Sequence, residues 1–232
     1  MKKGFLSVWS LMARATLPLT LLICVLLTVS DAVLFPLQSA GATRLDTAFT
    51  DSAVMVVFVI SLAALFVVFC LRGALGAKHT MPFLRFGISD RAQFGLLAVQ
   101  MALCLLILWA WQAGVALFLA LWWERLHPEM IGQHTLLLAT YRVSFLHALL
   151  PMGDWLLWVR NVVLCAALGV CAAKAALTRR IGGAMVIGIL AALFWPTRDS
   201  SRGFVLIQIA ILAAAGGLAW MAGRGALHEE QT

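Results

Sequence analysis

The chain has 232 residues, of which 63% are hydrophobic and 12% charged, and its mean hydropathy is +0.98. Soluble domains are about 45–50% apolar and about 25% charged, so this composition excludes them and predicts an integral membrane protein. A spanning helix needs about 20 apolar residues, which leaves room for about six spans and no sizeable soluble domain. The apolar runs are continuous rather than alternating, which favours helices over a β-barrel.

Six apolar stretches predict six transmembrane helices. In chain order they cover about 16–37, 52–72, 94–122, 155–177, 181–196 and 203–222. We interpret residues 1–232 as one transmembrane domain. The predicted fold is an all-α, polytopic membrane helix bundle with short amphipathic helices at its inner and outer faces.

The basic residues predict the orientation of this bundle. With both termini in the cytoplasm, the outer Lys and Arg residues are Arg44, Arg125, Arg142, Arg160, Arg198 and Arg202, and the larger remainder of the 17 faces inward. Cytoplasmic loops carry the excess of Lys and Arg, so this orientation is favoured over its reverse. We expect a multi-pass protein of the bacterial cytoplasmic membrane.

The segment from Ile131 to Gly153 is nearly long enough to form a further span. It contains three ionisable or basic side chains, His134, Arg142 and His147. A charge near the bilayer centre costs about 2.5–3.5 kcal/mol on insertion scales. We therefore predict a membrane-facing or re-entrant outer helix, capped at Thr135 and ended by Pro151 with Gly153.

The sequence lacks the motifs of an embedded enzyme or an ATPase. The five cysteines fall inside apolar runs, where free thiols behave as small hydrophobes, and no span contains a histidine. No GxxxxGK[ST] motif occurs, so any ATP hydrolysis belongs to a separate chain. We predict no catalytic residues, no metal and no cofactor bound by this chain.

A few polar residues lie within the predicted spans. Asp31 in the first span and Arg160 in the fourth have matching depths near the outer face, which suggests an intramembrane ion pair. The alternative is that each side chain reaches water independently. Four amides are expected to form hydrogen bonds between helices, namely Gln100, Gln112, Asn161 and Gln208.

The connection between the second and third spans has an unusual composition. Residues 78–94 read KHTMPFLRFGISDRAQF, in which Thr80 can cap a short helix, Pro82 fits its first turn and Gly87 can end it. We predict an interfacial helix that rests on the inner leaflet through Phe83, Leu84 and Phe86 and displays basic residues, including Arg85, to the cytoplasm. Either the segment transmits force to the two spans it joins, or it is an ordinary amphipathic loop that rests on lipid.

These residues resemble the permease subunits of bacterial ABC exporters of the drug and polysaccharide export type. In that family the same connection commonly reads as HT-x-P-aromatic followed by G-I-S-x-R-x-x-F. The resemblance implies a coupling helix that docks on the ATPase, made of Thr80, Met81, Pro82, Phe83, Leu84, Arg85, Phe86, Gly87, Ile88 and Ser89. It also implies an amphipathic interface helix over Leu6–Ala15, with Trp9, Met12 and Arg14 as its principal residues.

The resemblance further implies a set of partners and a mechanism. The partners would be an ABC ATPase subunit carrying ATP and Mg, a second permease chain, identical or related, and membrane lipid, with no nucleic acid. ATP-driven closure of the ATPases would switch the spans outward and export an amphipathic or peptide-like substrate. One departure is that the large outer segment, 123–154, follows the third span, whereas the family places its re-entrant helices after the fifth.

Two other functions remain open. The chain fits a membrane assembly or accessory subunit unrelated to ABC transporters. It also fits an intramembrane enzyme that uses Arg142, His147 and Asp154 on a lipid headgroup at the outer face.

Overall fold

The structure, a computed structural model, describes residues 2–75, 90–128, 135–178 and 202–229. In these ranges every regular element is a helix. The helices are α1 (Lys2–Ser39), α2 (Leu45–Asp51), α3 (Val54–Leu75), α4 (Asp90–Leu126), α5 (Thr135–Arg142), α6 (Ser144–Leu149), α7 (Trp155–Thr178) and α8 (Arg202–Glu229). The predicted all-α class is confirmed.

Five of these helices are long and apolar enough to cross a membrane. Their apolar parts are Trp9–Ser39, Val54–Leu71, Arg91–Leu126, Trp155–Leu177 and Arg202–Ala222. They correspond to five of the six predicted spans, and the last two match the predicted bounds within a residue. The remaining predicted span, 181–196, lies outside the described residues.

Side-chain contacts fix the direction of each long helix. Gln100 bonds Thr16 and Gln112 bonds Asp31, so α1 and α4 run in the same direction. Gly169 of α7 packs against Ala102 of α4, whereas Trp158, near the start of α7, stacks with Trp109 further along α4. These two contacts make α7 antiparallel to α4.

The last helix, α8, runs parallel to α7. Gln208 contacts Arg160 near the start of both helices, and Gly216 lies against Ala167 further along. Near the end of α8, Trp220 packs on Phe94 at the start of α4, with ring centroids 4.8 Å apart. Thus α7 and α8 both begin at the end of the bundle where α4 finishes.

Helix α7 is the central helix of the bundle. It packs against α3, α4 and α8, and 67% of its apolar span is buried. By contrast, α1 contacts mainly α3 and α4, and only 22% of its apolar span is buried. Large residues such as Leu22 and Leu26 of α1 are more than half exposed, as expected of a face that meets lipid.

The predicted interface helix, Leu6–Ala15, and the first predicted span are parts of one helix. Helix α1 is continuous from Lys2 to Ser39 and passes through Pro18 without a break. Met12 is buried against Leu96 of α4, and Trp9 packs beside them. Trp9, Met12 and the exposed Arg14 therefore belong to the first turns of a membrane helix that docks on α4.

Short helices cover the end of the bundle opposite to the start of α1. There α2, which the sequence did not predict, buries Leu45, Ala48 and Phe49. The predicted outer helix over 131–153 is instead two helices, α5 of 8 residues and α6 of 6, separated at the extended residue Val143. Neither is long enough to span, and α6 ends before Pro151, as predicted.

Candidate functional site

The structure describes only part of the predicted site residues. The predicted coupling helix, Thr80–Ser89, lies outside the described residues. Helices α3 and α4, which flank it, end and begin at the same end of the bundle, where α1 also begins. The connection is therefore anchored on both sides by membrane helices.

The predicted ion pair between Asp31 and Arg160 is not formed in the described part of the chain. Asp31 accepts a hydrogen bond from Gln112 Nε2 at 2.9 Å. Arg160 donates to Asn161 Oδ1 at 2.9 and 3.2 Å, and to Gln208 Oε1 at 3.5 Å. The two residues face different neighbouring helices and so find different partners.

Three polar contacts join α1 to α4 along their length, and we call them the polar seam. They pair Thr16 with Gln100 at 3.1 Å, Thr28 with Trp111 at 2.8 Å, and Asp31 with Gln112 at 2.9 Å. Asp31 and Gln112 are fully buried, and Asp31 Oδ1 and Gln112 Oε1 have no hydrogen-bond partner among the described residues. The four amides predicted to bond between helices include both Gln residues of this seam.

Beside the polar seam an apolar groove of about 600 Å³ opens on the lipid-facing side of α1 and α4. Its walls include Ile107, Val115 and Phe118. Its polar groups are the Thr28 hydroxyl and the Trp111 indole, which bond to each other. The groove therefore suits a hydrocarbon or amphipathic molecule better than an ionic one.

A second cavity, of about 410 Å³, lies among α5, α6 and the start of α7, and we call it the polar cleft. Its polar lining consists of Tyr141, Arg142, Ser144, His147, Asp154 and Arg160. This cleft brings together the three residues of the predicted outer-face cluster, Arg142, His147 and Asp154. It adds Tyr141 and Arg160, which the sequence analysis did not connect to that cluster.

Local hydrogen bonds hold the walls of the polar cleft. Asn161 Nδ2 donates to the Ala148 carbonyl at 2.8 Å and ties α7 to α6. The Tyr141 hydroxyl donates to the Met152 carbonyl at 3.2 Å and ties α5 to the following turn. Gly153 has φ of +83°, a conformation that favours glycine, and a Cβ there would lie 3.2 Å from the Tyr141 hydroxyl.

The rim of the polar cleft carries an ion-pair cluster. Asp46 of α2 lies 2.9 Å from Arg44 and 3.3 Å from Arg142, so one carboxylate is shared by two guanidinium groups. Asp154 accepts a hydrogen bond from the backbone N–H of Leu156 at 3.1 Å and caps α7. The cleft is thus built from side chains that also join three helices.

The polar side chains of the cleft that could serve catalysis are not bonded to one another. Ser144, His147 and Asp154 line one cavity, but no hydrogen bond joins any two of them in the described residues. Nucleophilic catalysis depends on such contacts. Within the described ranges no three His, Cys, Asp or Glu side chains are grouped to hold a metal ion, and the five cysteines are free and buried.

These features define a helical membrane protein of several spans, with a polar cleft at one end and an apolar groove on its side. Comparison with protein-family models, curated proteins and solved structures finds no match to the chain. The resemblance of residues 78–94 to the ABC exporter permeases therefore stays a prediction.

Proposed function

We propose that the chain is the membrane-spanning permease subunit of an ATP-driven ABC exporter. The observation that carries this proposal is the sequence of residues 78–94 together with its position. It joins two long helices, α3 and α4, at one end of the bundle, and both of these helices pack on the central helix α7. A force applied to residues 78–94 would therefore be transmitted through α3 and α4 to the central helix α7.

The directions of the helices support six spans in this proposal. Because α7 and α8 are parallel, a crossing between them, over 181–196, returns the chain to the end where α8 begins. The start of α1 and the end of α8 then lie at one end of the bundle, which the excess of Lys and Arg assigns to the cytoplasm. The localisation proposed is the bacterial cytoplasmic membrane.

The proposed mechanism is mechanical rather than chemical. A separate ABC ATPase binds ATP and Mg, and its closure moves the coupling helix and with it α3 and α4. A second permease chain, identical or related, completes the transporter. ATP must bind one conformation of the transporter more tightly than the other, since only a difference in affinity shifts a conformational equilibrium. The apolar groove beside the polar seam favours an amphipathic substrate.

The experiment is a comparison of two matched double variants. Phe83→Ala with Arg85→Glu alters the proposed coupling helix. Leu121→Ala with Arg125→Glu makes closely similar chemical changes at exposed positions near the far end of α4, outside the apolar groove. Each tagged chain is solubilised gently, and mass spectrometry identifies the proteins that accompany it, while ATP hydrolysis is measured on the same sample.

We expect wild type and the far-end variant to retain a P-loop ATPase and its activity. The coupling variant should lose about 90% of both, since the loss of a few interface contacts weakens binding at least tenfold. An assembly that contains no P-loop ATPase would refute the exporter and favour the accessory-subunit alternative. Equal retention by both double variants would refute the role of residues 80–89.

One observation favours a second function, an enzyme acting on a lipid headgroup. The polar cleft gathers Arg142, His147 and Asp154, as that alternative requires. The purified chain would then convert headgroups without nucleotide and lose this activity in His147→Gln. The missing hydrogen bonds among the polar residues of the cleft make this function the weaker candidate.

A further inference from the structure

The strongest unexplained feature of the molecule is the charge of Arg160. Its side chain is 4% exposed, and its hydrogen-bond acceptors are the neutral amides of Asn161 and Gln208. Among the described residues no carboxylate lies within ion-pair distance of it. A buried guanidinium without a counter-charge is costly, which indicates that another negative group belongs next to it.

The rest of the polar cleft supplies no carboxylate in direct contact with Arg160. Asp154 lines the cleft and interacts electrostatically with Arg160, but the two are not within ion-pair distance, and Asp154 Oδ1 accepts a hydrogen bond from the Leu156 N–H. Asp46 is divided between Arg44 and Arg142. The cleft and its rim therefore hold three arginines against two aspartates, an excess of one positive charge.

The donors in the cleft suit an oxyanion. Arg142 uses one guanidinium nitrogen for Asp46, at 3.3 Å, and its side chain is half exposed. Arg160 lines the same cavity. Guanidinium groups bind phosphate oxygens in a planar, bidentate manner, so two of them facing one cavity form a recognisable phosphate site.

The surroundings of the cleft indicate that the phosphate belongs to a lipid. Trp155 and Trp158, in the first turns of α7, are 69% and 46% exposed and lie beside cleft residues Asp154 and Leu157. Exposed tryptophans concentrate at the level of the lipid headgroups. A cleft at this depth faces phosphodiesters that are already concentrated in the plane of the membrane.

We propose that the polar cleft binds the phosphodiester headgroup of an anionic membrane lipid, held by Arg142 and Arg160. The bound lipid supplies the negative charge that Arg160 lacks and ties α5 to α7. This inference does not depend on the exporter proposal, because it concerns the opposite end of the bundle from residues 78–94.

The test measures lipid binding to the full chain in detergent by native mass spectrometry. The probes are phosphatidylglycerol, which is anionic, and phosphatidylcholine, which has the same phosphodiester with a neutral headgroup overall. The variants are Arg160→Gln and Arg142→Gln. The matched control is Arg125→Gln, an exposed arginine at the same end of the bundle that does not line the cleft.

We expect wild type and Arg125→Gln to bind phosphatidylglycerol about tenfold more tightly than phosphatidylcholine, and each cleft variant to lose about tenfold in phosphatidylglycerol affinity. If Arg160→Gln does not fold, Arg142→Gln decides the result against its control. Equal affinity in wild type, Arg142→Gln and Arg125→Gln would overturn the proposal.

A second arm distinguishes a lipid from a free anion. Sodium phosphate and sodium chloride are compared as competitors at the same ionic strength. If the cleft recognises a lipid, both salts weaken binding equally, because the acyl chains contribute to affinity. Displacement by phosphate at low millimolar concentration would assign the cleft to a soluble phosphate instead and overturn the lipid. If a cleft variant loses lipid binding but keeps the co-purifying ATPase, the lipid site is independent of the proposed ATPase coupling.

Discussion

Helix α4 is held in two different ways on its two sides. Toward α7 the contact is one of close packing, since a Cβ on Gly169 would lie 2.7 Å from the Ala102 nitrogen and 2.8 Å from the Ala98 oxygen. Toward α1 it is the polar seam, in which hydrogen bonds rather than backbone approach connect the helices. One helix thus combines both means by which helices associate in lipid.

The difference indicates which parts of the bundle are fixed and which can separate. Lipid tails are as apolar as leucine, so apolar side chains alone give no drive for association. The α4–α7 contact gains from dense packing along its length, whereas the α1–α4 contact depends on a few bonds. We expect α7 and α4 to behave as one rigid unit and α1 to be more easily displaced.

The largest effect on stability is expected from adding a side chain at Gly169, where α7 lies close to the backbone of α4. Gly169→Val places a branched side chain against the backbone of α4, where nothing can yield except the helices themselves. The free energy of unfolding should fall by about 3 kcal/mol or more. It can be measured by titrating the detergent-solubilised protein with SDS and following tryptophan fluorescence.

The control for this change is Gly217→Ala in α8, whose Cβ would meet no atom within 4 Å. It should leave stability unchanged or raise it by up to about 1 kcal/mol, because alanine favours the helix. Similar losses in the two variants would show that glycine flexibility, and not close approach, matters at these positions.

An intermediate effect is expected at the buried end of the polar seam. Gln112→Leu removes the hydrogen bond that Asp31 accepts and leaves this buried carboxyl group unsatisfied, which should cost about 2 kcal/mol. Asp31→Leu with Gln112→Leu removes both polar groups and should recover most of that loss. If the double variant is less stable than Gln112→Leu, the bond is not what holds Asp31 in the seam.

The smallest effect on stability is expected at the Thr28–Trp111 bond, where the polar seam is partly exposed. Thr28→Val keeps the shape of the side chain but removes the acceptor of the Trp111 indole N–H, and about 0.6 kcal/mol is a typical value for such bonds in membranes. Trp111→Phe removes the donor of the same bond. A double-mutant cycle in the SDS titration isolates the pair, and a coupling energy of zero would remove this contact from the seam.

The sequence predicted the helices better than their contacts. Long apolar runs determine spans by length alone, so the bounds of 155–177 and 203–222 were close to those of the structure. The first span was predicted to begin near residue 16, because the family resemblance assigned Leu6–Ala15 to a separate interface helix, whereas the structure has one continuous helix, Lys2–Ser39. The amides were assigned correctly because a polar side chain in lipid needs a bonding partner.

The polar cleft was only partly predictable. Arg142, His147 and Asp154 are close in sequence and were grouped for that reason. Arg160 enters the same cleft because α7 turns its buried face toward α6, and Asp46 reaches the rim from a helix about a hundred residues earlier. The rotation of each helix about its axis decides these contacts, and hydropathy does not encode it.

The uninterrupted course of α1 has a mechanical consequence. At 1.5 Å per residue its 38 residues measure about 57 Å, nearly twice the hydrocarbon thickness of about 30 Å. No loop interrupts the helix between Lys2 and Asp31, and Pro18 is the one proline between them, so a shift or tilt imposed near Lys2 is transmitted along a single helix to Asp31. The amino-terminal end of α1 and the buried Asp31–Gln112 bond are therefore mechanically connected.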